Sequence, residues 1–126
     1  MENTTIESKI NDAVSNGDEV VFVCYALLDK TEDQIKFALA KILEKHRKEE
    51  YFTPVYSCIK ELIANANKAN AKELLVREGI IDDPDDIPHV IEKVRSILNE
   101  KSLLEYGIKS KEHHLSTRVH LHVREG

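Results

Sequence analysis

An α/β domain is what the sequence predicts, and three observations carry it. A Val-, Phe- and Tyr-rich run extends from Glu19 to Leu28, residues alternate cleanly in polarity from Ser116 to Arg124, and helix-period apolar stripes fill much of the chain between them. The chain has 126 residues, and its 18 Lys+Arg against 23 Asp+Glu leave a net charge of −5. A single domain spanning 1–126 is therefore expected, and a chain of this length needs no disulfide or metal staple to fold. The hydrophobic fraction of 41%, spaced periodically, argues against wholesale disorder. The acidic balance argues against nucleic acid or an anionic membrane surface as a partner.

The elements follow in order. Ile6 to Val14 has helical spacing, and Ser15-Asn16-Gly17-Asp18 is turn chemistry. Glu19 to Leu28 reads as a strand, and its nearly continuous apolar character predicts burial on both faces. Thr31 with Gln34 fits a capping box; Glu32 and Asp33 suit the first turn, and Ile35, Ala38, Leu39, Ile42 and Leu43 form a stripe to about Glu49. A second helix starts at Thr53-Pro54 and runs to about Ala71. Leu74-Leu75-Val76 reads as a short strand ended by Gly79. Asp82-Asp83-Pro84-Asp85-Asp86 leads into a third helix carrying Ile87, Val90, Ile91, Val94, Ile97 and Leu98, with Gly107 as its stop. In the last strand Thr117, Val119, Leu121 and Val123 share one face, Arg118, His120, His122 and Arg124 the other, and Glu125-Gly126 opens a turn.

Cysteine and targeting signals point to the cytoplasm. Cys24 and Cys58 have no CxxC spacing, so they form neither a disulfide framework nor a zinc knuckle. The start, Met1-Glu2-Asn3-Thr4-Thr5-Ile6-Glu7, is polar and acidic, unlike a signal peptide. Val20 to Leu28 is about half the length of a membrane span. The four glycines, Gly17, Gly79, Gly107 and Gly126, are too far apart for any paired-glycine phosphate loop.

The segment that points to chemistry is Ser57 to Lys72, SCIKELIANANKANAK. On a helical wheel Ile59, Leu62, Ile63, Ala66 and Ala69 fall on one side and are expected to pack inward. Glu61, Asn65 and Lys68 lie at i, i+4 and i+7, within about 60° of one another on another side. That file of acid, amide and cation suits a magnesium triphosphate. An amide carbonyl is a hard oxygen ligand for Mg²⁺, an ammonium neutralises terminal phosphate charge, and a carboxylate orients or deprotonates water. The competing reading is an amphipathic helix whose Glu and Lys are simply solvated.

The string Glu61-Leu62-Ile63-Ala64-Asn65-Ala66-Asn67-Lys68 resembles the N-box of the histidine-kinase-like ATPase superfamily, which unites gyrase, the ninety-kilodalton heat-shock chaperones, sensor histidine kinases and mismatch-repair ATPases. The Lys after Asn-x-x looks most like the histidine-kinase branch. The resemblance implies a two-layer α/β sandwich with this helix on a mixed sheet. It further implies ATP and Mg²⁺ as cofactors, Asn65 as magnesium ligand, Lys68 on phosphate, Glu61 in the general-base position, and a role in signal transduction of the two-component type. In order of elements it covers roughly Glu19 to Gly126, with residues from about 79 to 112 as an insertion; in motif it covers Glu61 to Lys68 alone. The superfamily's Asp-x-Gly-x-Gly adenine box and glycine-rich lid are absent from these residues. The chain is accordingly expected to be the N-terminal portion of a longer domain, and to bind ATP weakly or not at all by itself. No His-Glu phosphoacceptor dipeptide precedes the domain, so autokinase activity is not expected of this chain. The alternative is a non-catalytic interaction or regulatory domain that keeps the fold without the nucleotide. Its contact surfaces would be the helix Ile87 to Tyr106 and an open strand edge at Val119 to Val123, facing a protein partner or a second copy.

Three other constellations are weaker. His113, His114, His120 and His122 invite a metal reading, against which an exposed polar strand face is the better account. The aspartates around Pro84 lack a calcium-loop ladder and read as an acidic helix start. Lys41, Lys45, His46, Arg47 and Lys48 are interleaved with Glu44, Glu49 and Glu50 and read as a solvated face.

Overall fold

The computed structural model describes residues 2–123, with side chains from residue 6 onward; the turn expected at Glu125-Gly126, and Arg124, lie outside them. The element order is α1 (Glu2–Asn16), β1 (Val20–Cys24), α2 (Asp29–Lys45), a 3-10 turn at Glu49–Tyr51, α3 (Phe52–Arg77), α4 (Ile87–Ile97), α5 (Leu103–Glu112) and β2 (Thr117–Leu121). The molecule is mixed α/β and mostly helical, with β1 and β2 paired in a two-stranded antiparallel sheet. The chain divides into two compact units, the first comprising Met1–Phe22, Asp29–Glu61 and Arg118–Gly126, the second Val23–Leu28 and Leu62–Thr117.

In the first unit α1 packs on α2, burying Ile10 and Val14 of one and Ile35, Ala38, Leu39 and Ile42 of the other. Val20, Phe22, Val119 and Leu121 of the strands are buried as well. The expectation that the first strand is covered on both faces is corrected: Val21 and Val23 are 45% and 51% exposed, because a two-stranded sheet has only one face against the core. On β2 the expected alternation is present, with Thr117, Val119 and Leu121 buried and Arg118 and His120 exposed; Val123, expected on the inner face, lies past the strand and is exposed. Thr31 does not open α2, which begins two residues earlier and ends at Lys45 rather than near Glu49.

The second unit has its own core, formed by Ala26, Ala71, Leu74, Leu75, Ile81, Val90, Val94 and Tyr106. The strand expected at Leu74-Leu75-Val76 is instead the last part of α3. Ala71, Leu74 and Leu75 keep the i, i+3, i+4 spacing of a helix face, and Gly79 follows the helix at φ +74°. There Gly79 N–H donates to Val76 O (3.1 Å) and Ile80 N–H to Leu75 O (2.9 Å), the paired bonds of a Schellman stop. Gly107, by contrast, ends nothing. It lies inside α5, where a Cβ would stand 3.3 Å from the Ala26 Cβ, so its role is close approach rather than termination. The third helix is therefore two helices, broken where Ser102 N–H donates to Asn99 Oδ1 (3.0 Å). Residues 79–112 supply Ile81, Val90, Val94 and Tyr106 to this core.

Candidate functional site

The three residues expected to carry chemistry all lie on α3, and Glu61, Asn65 and Lys68 are all exposed. None of the three forms a hydrogen bond or ion pair among the described residues. Of the five apolar positions expected to pack inward, Ile63 is buried and Ile59 and Ala66 are half-buried, whereas Leu62 is 68% exposed and Ala69 is exposed. Further along the helix Asn67, Ala71, Leu74 and Leu75 are buried as well.

Two asparagines also face inward, and both were passed over when only apolar positions were counted. Asn67 is buried, and its Oδ1 accepts from Thr117 Oγ1 at 3.1 Å while its backbone carbonyl accepts from Tyr106 Oη at 3.2 Å. Asn70, one turn on, donates through Nδ2 to Ser116 O at 3.2 Å and to Thr117 Oγ1 at 3.4 Å. Buried polar groups require partners, and these bonds supply them beside the apolar contacts of Ala71, Leu74 and Leu75. The available signal was a pair of asparagines at i, i+3 in an Ala-rich helix, with a Thr opening the last strand.

Asn65 presents an exposed side-chain amide and Lys68 an exposed ammonium one turn away, neither with a partner among the described residues. Among the described residues no group of three or more His, Cys, Asp or Glu is placed to hold a metal ion. Of the four histidines weighed as ligands, His120 Nδ1 lies 2.6 Å from Glu19 Oε1, and His113 caps α5. Cys24 is buried, which raises its thiol pKa, and Cys58 is exposed; both are free thiols.

Two further features contain none of the three α3 residues. A cavity of about 90 Å³ in the second unit is floored by Leu74, Leu75, Ile97 and Tyr106, and its mouth carries Glu78 and Glu105 at 3.8 and 3.6 Å from Lys109. In the first unit Tyr56 donates to the Glu32 carboxylate, which also faces Lys60 at 3.5 Å and Lys36 at 3.7 Å. The phenol's hydrogen bond, ahead of the two ammonium groups, holds the Glu32 carboxyl below its ordinary value. Burial, then the same bond and the negative charge, push the Tyr56 phenol up. This cluster fastens α3 to α2.

Compared with known proteins, the chain matches no family model, no curated protein and no solved structure.

Proposed function

We propose that this chain is a histidine-kinase-like ATP-binding domain, in fragment or reduced form, acting in signal transduction, with α3 as the Mg-phosphate half of a nucleotide site. The observation that supports the reading is the contrast along one helix. Asn67 and Asn70 are engaged in structural hydrogen bonds, whereas Asn65 and Lys68 are exposed and have no partner among the described residues. In this reading Asn65 offers its carbonyl oxygen to the ion, Lys68 neutralises phosphate charge, and Glu61 on the preceding turns takes the acidic position. The reading carries with it a two-layer sandwich of the ATPase type, of which the two-stranded sheet would be one part.

A site with phosphate contacts and no adenine box distinguishes poorly between nucleotides. Mg-ATP is therefore expected to bind weakly, with Kd on the order of 1 mM. Magnesium tripolyphosphate should compete with it equally well, adenosine should not compete, and Asn65→Ala or Lys68→Ala should abolish the binding without changing the helical circular dichroism. Micromolar ATP affinity that depends on adenine, or binding indifferent to both substitutions, would contradict the reading.

A second reading, a non-catalytic interaction domain, is favoured by one observation. Ile87 and Ile91 on α4 and Leu104 and Ile108 on α5 form i, i+4 apolar pairs, each residue 46–63% exposed. The strand edge first expected to serve this role is less apolar than its sequence, since Val119 and Leu121 are buried. Absence of any Mg-polyphosphate binding would leave this second reading in place.

A further inference from the structure

The cavity of about 90 Å³ in the second unit has a lining sorted by polarity. Leu74 and Leu75 of α3, Ile97 of α4 and Tyr106 of α5 form its floor, with Ile80 beside them just past the α3 stop. Ser102, Glu105, Tyr106 and Lys109 recur at i, i+3, i+4 and i+7, so one face of α5 supplies both the aromatic part of the floor and two charges of the mouth. The phenol in the floor is already engaged, since Tyr106 Oη donates to Asn67 O at 3.2 Å. Water there would find few partners, and an apolar group is the better filling.

The mouth, by contrast, is acidic. Lys109 Nζ stands 3.8 Å from Glu78 Oε1 and 3.6 Å from Glu105 Oε1, both beyond hydrogen-bond length. Ion pairs this long and this open to solvent are weak, and two carboxylates facing one ammonium leave a net negative charge. The mouth is thus built to receive an ammonium and holds its own one loosely. A carboxylate ligand would add to the negative charge, and an alcohol would leave it unmatched.

We propose that this cavity binds a short primary alkylammonium, its apolar stem on Leu74, Leu75, Ile97 and Tyr106 and its ammonium between Glu78 and Glu105 in place of Lys109. On the scale by which an apolar cavity of about 150 Å³ takes benzene, the stem has roughly three or four carbons. The site contains none of Glu61, Asn65 and Lys68 and does not rest on the function proposed above.

Titration of the isotope-labelled chain with n-butylammonium chloride, read from its amide and methyl resonances, tests the assignment. Saturable shifts centred on Leu74, Leu75, Ile97 and Tyr106 are expected, with Kd on the order of 1 mM. Butyrate and 1-butanol at matched ionic strength should bind about tenfold more weakly or not at all. Lys109→Gln, which keeps the stem but removes the resident cation, should tighten butylammonium binding about threefold to fivefold, and Glu78→Gln should weaken it by a similar factor. The Lys109 and Glu78 side chains are 40% and 28% exposed, so neither change disturbs the core. Shifts centred elsewhere or without saturation, equal binding of the alcohol or the acid, or an affinity that Lys109→Gln leaves unchanged or lowers would each overturn the proposal.

Discussion

Tyr56 and Glu32 show how one hydrogen bond ties an exposed helix start to its neighbour. The phenol donates to a carboxylate flanked by Lys36 and Lys60, and the Phe52 and Tyr56 rings stack at 5.8 Å with Lys36 over the Tyr56 face. Because the folded Glu32 pKa lies below its ordinary 4.5, the cluster's contribution is complete above about that pH and is lost as pH falls through the folded value. Tyr56→Phe should accordingly lower stability by about 1 to 2 kcal/mol at neutral pH. Denaturant titrations should show this gap closing as pH falls below the ordinary carboxylate range; a gap that stays constant into acid would mean that the ionised carboxylate is not the partner. No sequence pattern announced this pair, since the two residues are 24 apart and each is unremarkable in its own helix.

Helix ends account for much of what was and was not legible at the scale of elements. Four helices finish with the same pair of backbone bonds around a residue of positive φ: Gly17 after α1, Arg47 after α2, Gly79 after α3 and His114 after α5. Cations reinforce two of these ends, as Lys45 Nζ donates to Val14 O at 2.7 Å and Arg77 Nη1 to His113 O at 2.9 Å. Gly79 was readable as a stop, yet the element it stops was taken for a strand, because Leu74-Leu75-Val76 is too short a run for period alone to separate helix from strand. Arg47 and His114 were invisible as stops because their residue types do not announce a left-handed backbone. Gly79→Ala, with open space around the added methyl, should destabilise by about 1 kcal/mol through backbone strain alone. Arg47→Gly, at φ +55°, should instead stabilise by about 0.5 kcal/mol. Thermal midpoints moving in the same direction for both substitutions would contradict this account of the helix ends.

For the molecule as a whole, the α/β class, the first helix, the position of both strands and the helical Ser57–Lys72 segment were legible because each rests on a periodicity repeated over many residues. The extent of the sheet and the inward placing of Asn67 were not, because they depend on tertiary contacts such as the hydrogen bond from Thr117 to Asn67, 50 residues apart. Glu61, Asn65 and Lys68 were legible as an exposed file, since three polar residues at i, i+4 and i+7 share a face whichever apolar set is buried. No helix among the described residues is long and apolar enough to cross a membrane. Under the proposed function a metal polyphosphate binds on that file. The most direct test replaces Mg²⁺ with paramagnetic Mn²⁺ and records amide resonances of the labelled chain during titration with Mn-ATP. Selective broadening centred on Ala64 to Lys68, reversed by excess Mg-tripolyphosphate and absent in Asn65→Ala, is the predicted result. Broadening centred at His120 and His122, at the Asp82–Asp86 loop, or nowhere would contradict it.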